Sequence, residues 1–245
     1  MKKVVLITAR SKSSRLKSKI LKKIGSLRAI DILILRAEQI KLPIILATSK
    51  QRSDDKLCNY VKKNHRIKIF RGDNKNKLKR WYKCFQKYKI NKAIIIDGDD
   101  IFFDYEMYSN QIKTFKSEDI LSAPKDMITG LFTHILNKKA LIKMRHLFSK
   151  NIDSEMIEPF IKKANLKRRF LKINKNFYKK KVRLTLDYDE DLKLMKVLIG
   201  KFGPIEKSKK IVNFLIKNRK ISMINYFREN YWKKNQLNKI KSIII

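Results

Sequence analysis

Val4-Val5-Leu6-Ile7-Thr8-Ala9-Arg10-Ser11-Lys12-Ser13-Ser14-Arg15-Leu16-Lys17-Ser18-Lys19 stands near the start of the chain, and its two halves ask for different surroundings. Val4–Thr8 is short, apolar and β-branched, the composition of a strand. Beyond Thr8 the chain enters a loop in which Ser11, Ser13 and Ser14 are interleaved with Arg10, Arg15 and Lys19. Open α/β sheets bind ligands in loops at the carboxyl ends of their strands. Hydroxyls, backbone N–H groups and Arg forks there suit a phosphate chain, because each donor meets an oxygen and the cations offset its charge. The loop has no glycine, so it is neither a P-loop nor a GxGxxG turn. A solvated basic loop is the alternative reading of the same residues.

Outward from this segment, short apolar strands alternate with amphipathic helices through the first hundred residues. That rhythm builds a mostly parallel sheet covered by helices, an α/β fold of Rossmann-like α/β/α type. Strands are expected at Ile44–Thr48, Ile67–Phe70 and Ala93–Ile96, and helices at Arg28–Lys41, behind a Ser53 cap, and at Lys77–Tyr88. Leu78, Trp81, Tyr82, Phe85 and Tyr88 fall on one helical face, which reads as core rather than as a base-stacking platform. Later elements are expected at Tyr105–Phe115, Ile120–Ala123, His134–Leu136, from Lys138 behind Asn137, and at Glu155–Ala164. Val182–Leu186 alternates as a strand, and a helical carboxyl-terminal part begins near residue 190. No linker interrupts the pattern, and one domain over residues 1–245 is expected.

Two acidic clusters sit where strands end. Ile94–Ile96 runs into Asp97, Gly98, Asp99 and Asp100. Carboxylates gathered at one point repel each other unless a cation lies among them, and Mg²⁺, a hard ion shared with substrate phosphates, is the cation expected. In Val182–Leu192, Asp189 and Asp191 read as helix-start residues that favour the positive end of the helix dipole. Asp187, on the strand side, is the residue to bring to the metal.

The chain holds 61 Lys+Arg against 22 Asp+Glu, a net charge of +39. Such a field attracts polyanions, but the Lys are scattered and no basic tail stands apart, the mark of a compositional bias. Hydrophobic residues make up 43%, with 6 Gly and 4 Pro, which excludes collagen-like and low-complexity classes. Cys58 and Cys84 lack metal-ligand spacing, so a reducing, cytoplasmic setting is expected. No apolar run reaches the roughly 18 residues of a membrane span. His65 and His146 lie among basic residues and read as surface groups. His134 and Gly130 stand where a sugar pocket could be lined and the acceptor approached, although a core or edge histidine is the commoner reading.

The segments ITARSKSSRLKSKILKKIG, ATSKQRSDD, FRGDNKNKLKRWY, DGDD, VRLTLDYDEDL and the late MIN, taken in order, resemble the cytidylyltransferase family. That family includes the spore coat polysaccharide biosynthesis F proteins and, more distantly, the CMP-sialate and CMP-3-deoxy-manno-octulosonate synthetases. The resemblance implies a Rossmann-like fold of the nucleotide-diphospho-sugar transferase type and transfer of CMP from CTP to a sugar or sugar acid, with pyrophosphate released. It implies that Arg10, Ser14, Arg15 and Lys19 grip the triphosphate and that Asp99 and Asp187 hold Mg²⁺. Ala47, Thr48 and Ser49 match the strand end near the base, and Arg71 with Gly72 matches the family's Arg-Gly. Leu78, Arg80 and Asn225 match supporting positions, and relatives often dimerise. Lys17 and Ser18 stand where the family commonly has Pro-Gly, Ile101 stands in place of a Pro, and Met156 and Glu158 in place of His and Thr. Two other classes are open to the residues alone: a glycosyltransferase that binds metal through Asp97 and Asp99, and a basic nucleic-acid or anionic-membrane binder.

Overall fold

A computed structural model describes residues 2–12, 15–148, 152–178, 180–241 and 243. Among these residues seven strands form one sheet: β1 (Lys3–Thr8), β4 (Ile44–Ser49), β5 (Lys68–Gly72), β6 (Lys92–Asp97), β7 (Ile120–Ser122), β8 (His134–Asn137) and β9 (Arg168–Phe170), in the order β5-β4-β1-β6-β8-β7-β9. Strand β8 pairs antiparallel with both β6 and β7, and every other strand pairing in this sheet is parallel. A two-residue hairpin, β2 (Lys23–Ile24) with β3 (Leu27–Arg28), follows the first loop and has no clear signal in the sequence.

Side-chain alternation divides the core into two layers. Val5, Ile7, Ile94 and Ile96 face one side, where α1 (Ala29–Glu38), α2 (Asp55–Asn64), α4 (Tyr105–Thr114), α7 (Asp189–Phe202) and α8 (Ser208–Lys217) pack. Val4, Leu6, Ala93 and Ile95 face the other, against α3 (Lys77–Tyr88), α5 (Lys138–Met144) and α6 (Glu158–Lys163). Successive strand residues point to opposite faces, so a strand apolar throughout is one covered on both. The expected aromatic stripe is core: Leu78, Trp81 and Phe85 are fully buried on α3. Asn137 caps α5 by accepting from the Ala140 N–H.

Several expectations differ from the structure. Val182–Leu186 is not a strand. Its backbone bridges Thr129 at Arg183 and then transfers to a different partner, with Leu184 N–H bonding Thr129 and Leu186 N–H bonding Asp99, so no continuous ladder forms. Ser53 does not cap α2, because Arg52–Asp54 is a separate 3₁₀ turn ahead of it. The helix expected over Glu155–Ala164 is shorter, and Pro159 occupies its first turn, where its missing N–H costs nothing. His65 is not a surface group, since its Nε2 lies 2.7 Å from Asp31. The basic tail folds as α9 (Arg219–Tyr226) and α10 (Arg228–Lys241). Among the described residues no helix is long and apolar enough to cross a membrane.

Candidate active site

Strands β1 and β6 are neighbours in parallel register, with Thr8 opposite Asp97, so the first loop and the Asp97–Asp100 turn leave the sheet side by side. Gly98 makes this possible: a Cβ there would lie 2.7 Å from that of Ala9, and the Gly98 N–H bonds the Thr8 carbonyl at 2.9 Å. The Leu186–Asp99 backbone bond brings Asp187 to the same place from far along the chain. A cavity of about 850 Å³ opens here, lined by Arg10, Arg15, Lys19, Asp97, Asp99 and Asp100 among others, a volume in the range of small-ligand sites.

Lys19 ties the cluster together. Its Nζ lies 2.9 Å from Asp99 Oδ2 and 2.7 Å from Asp187 Oδ1. Burial opposes its charge, but the two carboxylates hold the ammonium well above the usual lysine range. Arg15 Nη2 also reaches Asp187 Oδ1, at 2.8 Å, while its guanidinium lies over the Tyr188 ring. Burial would raise Asp187, yet Lys19 and Arg15 hold it far below the carboxylate range. Asp99 and Asp100 are raised, chiefly by burial and then by neighbouring carboxylates, with Lys19 opposing the rise at Asp99 and Thr133 at Asp100. Oxygens of Asp97, Asp99 and Asp100 all lie within 4.8 Å of one another. An all-carboxylate set of this kind has the hard donors that Mg²⁺ takes. Between Asp99 and Asp187 themselves, the position is taken by the Lys19 ammonium.

Arg10 reaches across the cavity, with Nη1 2.7 Å from the Asn74 carbonyl and Nη2 3.8 Å from Glu155. Ser14 lies outside the described residues. Ala47, Thr48, Ser49 and Arg71 are at the β4 and β5 strand ends, but none lines the cavity. Their polar groups serve the scaffold instead. Thr48 and Ser49 donate to Asp54, whose other oxygen accepts the Ser11 N–H at 2.6 Å. Burial opposes ionisation of Asp54, and these bonds from Ser49, Ser11 and Thr48 outweigh it and lower its pKa. Arg71 clamps the same turn through the Ser49 and Gln51 carbonyls and Asp55.

Gly130 lines the cavity at φ +96°, and a Cβ on it would come within 2.4 Å of the Leu184 backbone. The close approach that its missing side chain permits is that of the chain's own Leu184 backbone, in the segment that leads to Asp187. His134 is at the cavity wall with Nδ1 3.0 Å from Ser122 Oγ. Burial pushes its pKa down to about 3, so the ring is neutral at ordinary pH. Ser18 adopts φ +51°, the left-handed conformation that the glycine common at this position in the resembled family would take without strain.

Sequence reasoning missed four contributors. Asp54 is one. Lys77, the first residue of α3, places Nζ 2.7 Å from Asp97; the Asn76 cap signals the helix start but not where this side chain goes. Arg183, fully buried, bonds Asp191 through two nitrogens at 2.9 and 3.2 Å and Glu229 at 2.9 Å. Asn225 completes that network by donating to Asp191 and to the Arg183 carbonyl. Asp191 meanwhile caps α7 as expected, accepting the Tyr188 N–H. Trp232, in the tail, donates from Nε1 to Asp187 Oδ2 at 2.6 Å.

Known proteins resemble this chain in sequence and in fold. Residues 4–226 match the family model described as cytidylyltransferase. The uncharacterised protein MJ1063 of Methanocaldococcus jannaschii is 31% identical over 234 residues, covering 92% of this chain and 95% of that protein. The spore coat polysaccharide biosynthesis protein SpsF of Bacillus subtilis is 28% identical over 230 residues, covering 87% and 93%. A solved cytidylyltransferase from Leptospira borgpetersenii superposes with a TM-score of 0.81 at 23% identity, covering 91% and 97% of the two chains. With a family model spanning everything from the first strand to the end of α9, the chain belongs to the cytidylyltransferases, CTP-dependent nucleotidyltransferases.

Proposed function

We propose that this enzyme transfers CMP from CTP to a hydroxyl of a sugar or sugar acid used in a surface polysaccharide, as one nucleotidyltransferase domain. The observation that carries the reading is the convergence of Arg10, Arg15, Lys19 and Asp99 on one cavity, with the buried Asp187 held directly behind it by Lys19 and Arg15. The acceptor hydroxyl attacks the α-phosphorus and gives up its proton to solvent, the bond to the bridging oxygen of the β-phosphate breaks, and pyrophosphate leaves with that electron pair. Such transfer depends mainly on positioning and charge neutralisation. Arg10, Arg15 and Lys19 bind the triphosphate and stabilise the departing pyrophosphate. The triphosphate offers Lys19 an anionic partner in place of the carboxylates it holds in the free enzyme. Asp99 with Asp187, and Asp97 and Asp100 beside them, would hold Mg²⁺, which when bound offsets charge on the α-phosphate. His134 is too weak a base to keep a proton at neutral pH, and its part is to hydrogen-bond the acceptor.

The test is pyrophosphate release with each of the four ribonucleoside triphosphates and MgCl₂, against a panel of sugar acids and amino sugars. Release is expected with CTP and one class of acceptor, and Asp99→Ala should lower it about 100-fold or more. Equal release from all four nucleotides, or release indifferent to Asp99, would overturn the reading. The assignment to surface polysaccharide precursors is supported by the likeness to the SpsF protein.

A further inference from the structure

The family match ends at residue 226, yet the cavity wall does not. Helix α10, which begins at Arg228, turns one face to the site: Trp232, Lys233, Gln236, Lys239 and Ile240 all line the cavity. Their spacing is that of a single helical face, and Glu229 extends the same stripe downward. Glu229 is buried and anchored to Arg183 at 2.9 Å and to Thr129 Oγ1 at 2.6 Å. At the other end Lys239 pairs with Glu155 at 3.2 Å, on the wall that also receives Arg10. The helix therefore straps the cavity from the Asp187 side to the Glu155 side.

We infer that Trp232 is a positioning residue for Asp187, and that α10 through it is a working part of the active site. The inference rests on the reading of the cavity as the CTP site. Asp187 Oδ1 takes both cationic donors, Lys19 and Arg15, whereas Oδ2 takes the Trp232 indole N–H. Donors on both oxygens fix the rotation of the carboxylate plane. The nearest competitor for Oδ2 is Arg183 Nη2, at 3.8 Å, already committed to Asp191 at 3.2 Å. Without the indole donor, Oδ2 is drawn toward Arg183 and the carboxylate turns relative to Lys19, the cation it shares with Asp99. The triphosphate loop keeps all its cations, so the loss falls on what Asp187 does and not on nucleotide binding as such. Partners that orient a metal-binding side chain have effects of this kind, about 10- to 100-fold in affinity or activity.

The experiment is calorimetric titration of CTP into wild type, Trp232→Phe and Trp232→His, each in EDTA and in MgCl₂, with a thermal melt of each protein. Phe keeps a ring for Arg183 to lie against, at 5.2 Å in wild type, and removes only the donor. His restores a donor, because its Nε2 occupies the place in its five-membered ring that Nε1 has in the indole. In EDTA all three should bind CTP alike. The tightening produced by MgCl₂ should be present in wild type, reduced about 10-fold or more in Trp232→Phe, and recovered in part by Trp232→His. An equal magnesium response in wild type and Trp232→Phe, or no recovery with His, overturns the inference and leaves the CTP site standing. No CTP binding by wild type overturns both.

Discussion

Replacing Lys19 by Met keeps the bulk of the side chain and deletes the ammonium that joins Asp99 to Asp187. The lysine side chain is 15% exposed and that of Asp187 1%, so the deletion leaves a nearly buried carboxylate short of one partner. Removing one member of a buried ion pair costs about 3–5 kcal/mol. Arg15 still bonds Asp187 at 2.8 Å, which places the expected loss at the lower end, about 3 kcal/mol. For a chain of this size that is a fall in Tm of about 6–12 °C. The decisive comparison is between EDTA and MgCl₂. If the crowded carboxylates are a cation site, the variant has lost its internal cation and should gain more thermal stability from magnesium than wild type does, even as CTP binding weakens. The assay is a thermal melt of both proteins across a magnesium series. A fall of less than about 2 °C in EDTA, or a magnesium gain no larger than in wild type, would refute the reasoning.

Ser18→Gly removes a left-handed serine from the first loop and should stabilise by about 0.5–1 kcal/mol, read as a higher urea midpoint with an unchanged m-value; a lower midpoint would show that Ser18 contributes more than strain. Gly130→Ala should cost about 2–4 kcal/mol, since φ +96° and a 2.4 Å approach to Leu184 both oppose a methyl group, and it should lower CTP-dependent turnover by displacing Asp187; a variant as stable and active as wild type would contradict the tight crossing. His134 gives a signed pH dependence. The folded ring stays neutral down to about pH 3, while the unfolded one takes a proton below about 6.5, so acid favours unfolding through that window. His134→Asn should flatten the loss of stability between pH 6.5 and 4 by at most about 1.4 kcal/mol per pH unit, and parallel pH profiles for the two proteins would exclude this role.

The parallel sheet and its helices are legible in the sequence because strand polarity and helix face are local properties. Val4–Thr8, Ala93–Ile96 and the α3 stripe carry their burial pattern in their own residues. Both ends of the Asp99–Asp187 pair are legible too, each as an acid just beyond an apolar run. Features set by a distant partner are not. Val182–Leu186 alternates like a strand, but its backbone donors are divided between Thr129 and Asp99, which no pattern within the segment reports. Gly130 does mark a close approach, and the approaching object is the chain itself. Thr48 and Ser49 match a nucleotide-side position, yet the acid that engages them, Asp54, looks like any residue at a helix start. Trp232 stands in a tail of Lys and Asn with no periodic context of its own.

The wide separation of the paired residues orders events in time as well as in space. All four strands of the parallel half, β5, β4, β1 and β6, lie within the first 97 residues, whereas Asp187 follows Asp99 by 88 positions in the chain. At translation rates of about 5–20 residues per second, that interval is roughly 4–18 s. A nascent chain therefore carries Lys19, the Asp97–Asp100 turn and all four parallel strands before the second carboxylate is made. Ribosome-bound chains stalled before Asp187 has left the exit tunnel should show no CTP binding, and CTP binding at that length would show that the late segment is dispensable.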